Sequence, residues 1–318
     1  MTFRPMRFAT QSGSAANGQA WIDRARRLEM LGYGTLAMPD HMIGGAWAAM
    51  PALAVAAAVA PKLRVGTLVI DNDFRNPTVF ARECATLDVL TNGRFELGIG
   101  AGWLDRDYES TGIHFDRGRV RVARLAEAVT LMKRLFTEEQ VTFAGTYYTV
   151  EKAEVRPKTV QEPHPPLLIA GGGPDILALA GREADIVAIV PPGITGSGKI
   201  PPESFTLDTM REQIGIVRAA AGERFGEIEL SMFLDCNLTD DRDKTVAEIA
   251  EKGSSSPIPC VGTRTAGSGR CQRSATTSCV CATRSASRTS AYAVPMSRAS
   301  DRSWVSSRAA MGRDRTPS

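Results

Sequence analysis

RVGTLVIDNDFRNPTVFARECATLDVLTNGRFELGIG, residues 64–100, is the stretch that decides the fold. Arg64–Ile70 is a short apolar, β-branched run, which reads as a buried strand. Pro77–Leu90 opens on proline and stops before Asn92-Gly93, the start and stop signals of a helix. Phe95–Gly100 is a second apolar run. A strand, a helix and a strand joined this way form a crossover unit, in which the two strands run parallel and the helix packs on their sheet.

The same alternation continues on both sides. Upstream lie Met6–Thr10 (strand), Asn17–Leu31 (helix), Thr35–Met38 (buried strand) and Trp47–Ala60 (Ala-rich helix). In the first helix Trp21, Ala25 and Leu28 share a face, and Gly32 supplies the stop. Downstream, Arg117–Phe136 is a long helix with Val122, Leu125, Ala126, Val129 and Met132 on one face. Val141–Val155 alternates around Ala144-Gly145 as a hairpin. Then come Leu167–Ala170 (strand), Pro174–Glu183 (helix), Asp185–Val190 (strand), a Gly/Pro/Ser-rich loop over 191–202, Ser204–Ala221 (helix), Ile228–Leu234 (strand) and Arg242–Glu251 (helix). Strict β/α alternation predicts an α/β protein with a parallel sheet. Seven strand–helix units are legible, and eight would close a TIM barrel. A doubly wound sheet is the alternative. Against it, Gln11-Ser-Gly-Ser-Ala-Ala stands where a Gly-x-Gly-x-x-Gly would follow the first strand.

The place of the eighth unit falls in a segment of different composition. Residues 1–252 hold 21 Leu, whereas 253–318 hold no Leu and no Phe. The segment has ten Arg and two Asp with no Lys or Glu, a charge of +8 that leaves −5 on the rest of a chain of net +3. Two domains are therefore expected: a barrel over 1–252 and an irregular basic Ser/Arg-rich tail over 253–318, with the eighth βα unit degraded. The loss of pattern directly after a good helix favours a reading-frame shift in GC-rich DNA over a genuine disordered tail.

Composition excludes several classes. The longest apolar run, 46–61, is interrupted by Pro51 and too short to span a bilayer. The start has no apolar signal region, so a soluble cytoplasmic protein is expected. The positive charge belongs to the tail, so no nucleic-acid partner is expected. Cys260, Cys271, Cys279 and Cys281 lack paired metal-ligand spacing, and no His/carboxylate cluster reads as a metal site.

In a parallel barrel the chemistry sits where strands end. The ends here are Met38-Pro39-Asp40-His41, the stretch from Gly66 to Pro77, Glu96 to Trp103, and Leu168 to Pro174. His41 is the best proton-handling group, with Asp40 to orient it or cap the loop. The plain alternative is a His that bonds a loop carbonyl, which is the better reading for His114 and His164. Gly171-Gly172-Gly173 between a strand and a helix suits an anion, because backbone N–H groups and a helix N-terminus converge there. The alternative is a tight turn. Ala101 and Gly102 would let a flat ring lie against the backbone, or else serve close packing. Asp71 and Asp73 are acids after the third strand, or caps of the helix that follows.

Asp71-Asn-Asp-Phe-Arg-Asn-Pro77 and Arg94-Phe-Glu-Leu-Gly-Ile-Gly-Ala-Gly-Trp103, at this spacing, resemble the luciferase-like monooxygenase superfamily and its coenzyme F420-dependent oxidoreductases. The resemblance covers roughly residues 3–252 and implies a TIM barrel with insertions. It implies an enzyme that transfers hydride between F420 and an organic substrate, with an FMN-dependent monooxygenase using O2 as the alternative. A defective barrel is a third reading, since the family ends in a regular eighth unit. His41 and Asp40 would then be catalytic. Leu68, Val69, Asp71, Ala101, Gly102, Ala170, Gly171, Gly172 and Gly173 would line the cofactor, with a non-proline cis peptide at Leu68–Val69 behind the ring. The sugar-phosphate dehydrogenases of this branch carry a catalytic Glu where Trp103 stands, so Trp103 is expected to wall the substrate pocket instead. The expected partner is a small molecule, and a homodimer is left open.

Overall fold

A computed structural model describes residues 6–193, 204, 206–239, 241, 244, 259–263 and 290–293. The crossover unit comes out as expected, with one break. The first run divides into β3 (Arg64–Thr67) and β4 (Ile70–Asp71), separated by a cis peptide bond at Leu68–Val69. Helix α3 spans Pro77–Leu90, where the Asn76 side chain accepts from the N–H groups of Thr78 and Val79 at 2.9 and 3.3 Å. Strand β5 is Phe95–Gly100, and every residue in it is buried.

The remaining elements follow the alternation. They are β1 (Phe8–Gln11), α1 (Gly18–Met30), β2 (Thr35–Met38) and α2 (Ala49–Val59) upstream. Downstream are α4 (Asp105–Thr111), α5 (Gly118–Thr137) and the hairpin β6 (Val141–Ala144) with β7 (Thr149–Ala153). Then come β8 (Leu167–Gly171), α6 (Pro174–Glu183), β9 (Ile186–Ile189), α7 (Leu207–Ala221) and β10 (Glu229–Thr239). The short helix α4 has no counterpart in the sequence reading. The helix read at 242–251 lies outside the described residues apart from Lys244, as does most of the 191–202 loop.

The strands β1-β2-β3-β5-β8-β9-β10 pair in parallel, in that order, with β4 also on β5. Two short strands lie in the segment expected to be an irregular tail, whose other residues are outside those described. Strand β11 (Pro259–Thr263) runs parallel to β10. Strand β12 (Ser290–Ala293) runs antiparallel to both β10 and β1 and links them. The sheet thus curls back on itself as a barrel of the expected class. Its eighth place is filled by a strand of reversed direction rather than by a regular βα unit.

The main core lies between sheet and helices. Trp21, Leu53, Phe80, Phe95, Leu125 and Leu135 are buried in it. The buried Trp21 indole N–H donates to Ala52 O at 2.8 Å, which satisfies its polar edge. A smaller apolar cluster joins residues of several strands: Ala37, Leu68, Leu168, Ile186 and Ala188, with Ala9, Val69, Ala170 and Phe233 against it. The N-terminal end of the strands is tied by charge. Glu96 accepts from Arg7 at 2.5 Å and from Arg64 at 2.7 Å, and Arg7 also pairs with Glu229 at 2.7 Å. Among the described residues no helix is long and apolar enough to cross a membrane.

Candidate functional site

The C-terminal ends of β2, β4, β5 and β8 bring the sequence-predicted residues to one rim. The cis segment is held from two sides: Leu68 N–H donates to Met38 O and the Gln11 side chain donates to Leu68 O, both at 2.7 Å. Strand β5 passes very close beneath it. Thr67 Oγ1 accepts from Gly98 N–H at 2.8 Å and donates to Gly98 O at 2.7 Å. A Cβ at Gly100 would stand 2.7 Å from Val69 Cγ2, so any other residue there would push the Val69 side chain aside. Leu68 is buried and Val69 half-buried, facing the small-residue cluster.

Of the two roles expected of Asp40, its contacts are with the loop and not with His41. Asp40 is buried and turned to Arg75, which grips both of its oxygens, and it accepts the Asp71 N–H at 3.2 Å. It is thus a loop-holding carboxylate. The residue on His41 is Asp107 of α4, whose Oδ2 lies 2.6 Å from Nδ1. The spacing of 66 positions hides this pair in the sequence, and a helix of seven residues is too short to show a periodic face. The ring of Trp103 meets the His41 ring edge-on, centroids 5.7 Å apart and planes at 87°. Trp103 is 39% exposed, and this places it as a wall beside the imidazole. His114 is exposed near Asp116, and His164 Nδ1 lies 2.9 Å from Pro165 O.

Beside this pair lies a row of acids. Asp73 is bound by Arg124 at 2.8 and 2.9 Å. Asp71 stands between Asp40 and Asp73 and, among the described residues, makes no ion pair. Its Oδ1 accepts from Tyr108 Oη at 3.2 Å and from Asp73 N–H at 3.0 Å. Burial, with the charges of Asp73 and Asp40, pushes its carboxyl up to about 7, against the pull of those two hydrogen bonds. Burial and the charges of Asp71 and Asp73 push the Tyr108 hydroxyl up, so it stays a donor.

The rim glycines divide by what their missing side chains would meet. At Gly102, with φ of +71°, a Cβ would strike the Tyr108 hydroxyl and the Asp71 carboxylate. At Gly171 it would strike Ile176, and at Gly172 it would come within 2.5 Å of Pro191 O. These three positions are glycine because the protein packs there. Gly173 differs, since nothing lies within 4 Å of its Cβ position. It is the N-cap of α6, and the first helical hydrogen bond runs from Leu177 N–H to Gly173 O at 3.1 Å. The N–H groups before it point out of the helix start, where an anion is favoured. Asp175, exposed on the first turn, adds a carboxylate to the same end. Gln213, unmarked by any motif, donates to Gly172 O at 2.9 Å and Val190 O at 2.8 Å and so fixes the loop. Gly173 has free space where an anion could approach the helix start, and Val69, Ala101 and Ala170 are half-buried residues on the same strand ends, without a bulky side chain among them.

A family model described as luciferase-like monooxygenase matches residues 1–295. An F420-dependent glucose-6-phosphate dehydrogenase of Intrasporangium calvum is 39% identical over 173 residues, 52% of this chain and 51% of that protein. The chain thus spans about half the length of this relative. The enzyme of that name from Nakamurella multipartita is 31% identical over 256 residues, 78% of this chain and 72% of its own. Among solved structures, a coenzyme F420-dependent tetrahydromethanopterin reductase from Methanopyrus kandleri superposes with a TM-score of 0.63 at 19% identity, over 76% of this chain and 70% of that one. At that identity the likeness is one of fold.

Proposed function

The chain belongs to the luciferase-like monooxygenase family, and we propose that it is an oxidoreductase moving a hydride between coenzyme F420 and an organic substrate. The carrying observation is His41, which follows β2 at its C-terminal end, is held at Nδ1 by the buried Asp107 and is walled by Trp103. The relatives named for F420 support the choice of cofactor. The glycine-started helix α6 supports a place for its phosphate. When bound, the deazaflavin supplies the hydride chemistry. The chain's own part is to hold Gly173 and the α6 N–H groups to the phosphate and to present Leu68, Val69, Asp71, Ala101, Gly102 and Ala170 to the ring. Gly171 and Gly172 keep the loop close to β9. His41 takes a proton from a hydroxyl as it becomes a carbonyl, or returns it in the reverse direction. Trp103 offers an apolar wall and no carboxylate, which favours a substrate other than a sugar phosphate.

The test is anaerobic reduction of F420 by a panel of apolar and sugar-phosphate alcohols, followed by the loss of visible absorbance. Turnover of an apolar alcohol, lost in His41→Ala, is expected. Activity only with FMN and O2 would replace this reading with the monooxygenase one. The domain division is proposed with it: the regular βα units lie within 1–252, and 253–318, although it lends β11 and β12 to the sheet, is frame-shifted sequence, a reading supported by its lack of Leu and Phe. The coding DNA read in the other two frames after codon 252 should then give a Leu/Val-rich continuation.

A further inference from the structure

Asp107 uses both of its carboxylate oxygens on the segment that carries His41. Its Oδ1 accepts from the N–H groups of Met42 and Ile43 at 2.9 and 3.2 Å, while Oδ2 lies 2.6 Å from His41 Nδ1. The carboxylate side chain is 4% exposed and the imidazole 32%, so the pair has one sealed side and one open side. A buried carboxylate can only accept hydrogen bonds, so whatever faces Oδ2 must donate. Asp40 cannot share this task, because Arg75 and the Asp71 N–H occupy it.

We propose, on the reading given above, that Asp107 is a positioning residue that fixes the proton of neutral His41 on Nδ1 and so leaves Nε2 a bare acceptor at the mouth. It does so by tying the ring to the backbone that follows it, which sets both the tautomer and the ring plane. Nε2 is then free to take a hydroxyl proton, and no proton need pass to Asp107. In the reverse direction the protonated ring returns the same proton from Nε2. The arrangement follows a general rule: the partner of one imidazole nitrogen sets what the other can do.

The substitution Asp107→Asn separates tautomer control from support of the loop. Its amide oxygen can keep the Met42 and Ile43 N–H groups, and its NH2 then faces Nδ1 as a donor. That forces the ring proton to Nε2 and removes the acceptor from the mouth. The experiment is ¹⁵N NMR of the imidazole nitrogens in the full chain at mildly alkaline pH, with His41 assigned through His114→Gln and His164→Gln. The wild type should show Nδ1 protonated and Nε2 bare, and Asp107→Asn should show the reverse. Alcohol-driven kcat should fall on the order of 10²–10⁴-fold, while F420 affinity stays within about twofold, an ordinary tolerance for a site not touched. Asp107→Glu should restore the tautomer. A wild-type spectrum with the proton on Nε2 overturns the proposal, whatever the variants do. So does an unchanged tautomer in Asp107→Asn, or a loss of turnover matched by an equal loss of cofactor affinity. The NMR result needs no cofactor, so a failure of the F420 assignment is read separately from a failure of this one.

Discussion

At the N-terminal ends of the strands Glu96 sits between Arg7 and Arg64, while at the C-terminal ends Asp71 sits between Asp40 and Asp73. Both carboxyls are buried. The first is neutralised from two sides by guanidinium groups. The second has acids on both sides, and its neighbours have taken the arginines: Arg75 on Asp40, Arg124 on Asp73. The bottom is what a fold does with charge when only stability counts. The rim keeps a carboxyl near neutrality and an imidazole with an open nitrogen, at a cost in stability. A buried carboxyl pushed up with no cation to pair it is a candidate for a working site rather than a structural tie.

Substitutions at the two ends should therefore separate activity from stability. The largest effect expected is at His41, where His41→Ala should cost turnover on the order of 10²–10⁴-fold. Cofactor affinity and the melting temperature should barely move, and equal losses in all three would make His41 structural. Next is Glu96→Ala, which removes the carboxylate that Arg7 and Arg64 share and leaves Arg7 with Glu229 and Arg64 with neutral acceptors. Removing one partner of a fully buried pair costs about 3–5 kcal/mol, and solvent reaching these arginines lowers this to about 3. Urea unfolding should show the loss, with turnover per folded molecule unchanged.

The smallest is Asp71→Asn, and it carries a pH signature. A folded-state carboxyl raised from 3.8 to about 7 binds a proton that the unfolded chain has released. Stability is therefore undiminished below pH 4, declines as pH rises, and carries its full penalty above 7. The shift alone corresponds to about 4 kcal/mol. Asparagine removes the charge but must place an NH2, so a gain of about 2 kcal/mol is expected at pH 8 and none at pH 4. A gain that is the same at both pH values would show that Asp71 is not the titrating group.

The same division explains what could be read from the sequence. The strands and helices of the bottom and the core were legible because their residues repeat with a period. Helix α3 and β5 fall on the residues expected, with Asn76 and Pro77 marking the start of α3. The rim residues were found where a strand end carries them, as at His41, Asp71 and Gly173. Their partners were not. Asp107 and Tyr108 sit on a seven-residue helix, and Arg75, Arg124 and Gln213 reach the site from elements that read only as helix or loop. Those pairings exist only after the barrel has closed. In the sequence the triple glycine reads as one anion cradle, yet packing against Ile176 and the 190–191 carbonyls explains two of its members, which leaves Gly173 as the open one. The reversed direction of β12 could not be anticipated either, because Ser290–Ala293 has no strand pattern of its own.

The most direct test of the rim as the F420 site is an anaerobic fluorescence titration of the full chain with F420 and with FMN, in the wild type, Gly173→Asp and Gly173→Ala. The methyl of alanine meets nothing at this position, whereas aspartate adds a charge beside the phosphate. Tight binding of F420 by the wild type and Gly173→Ala, and at least tenfold weaker binding by Gly173→Asp (about 1.4 kcal/mol), is predicted. Equal affinity in all three, or binding of FMN in preference to F420, would contradict it.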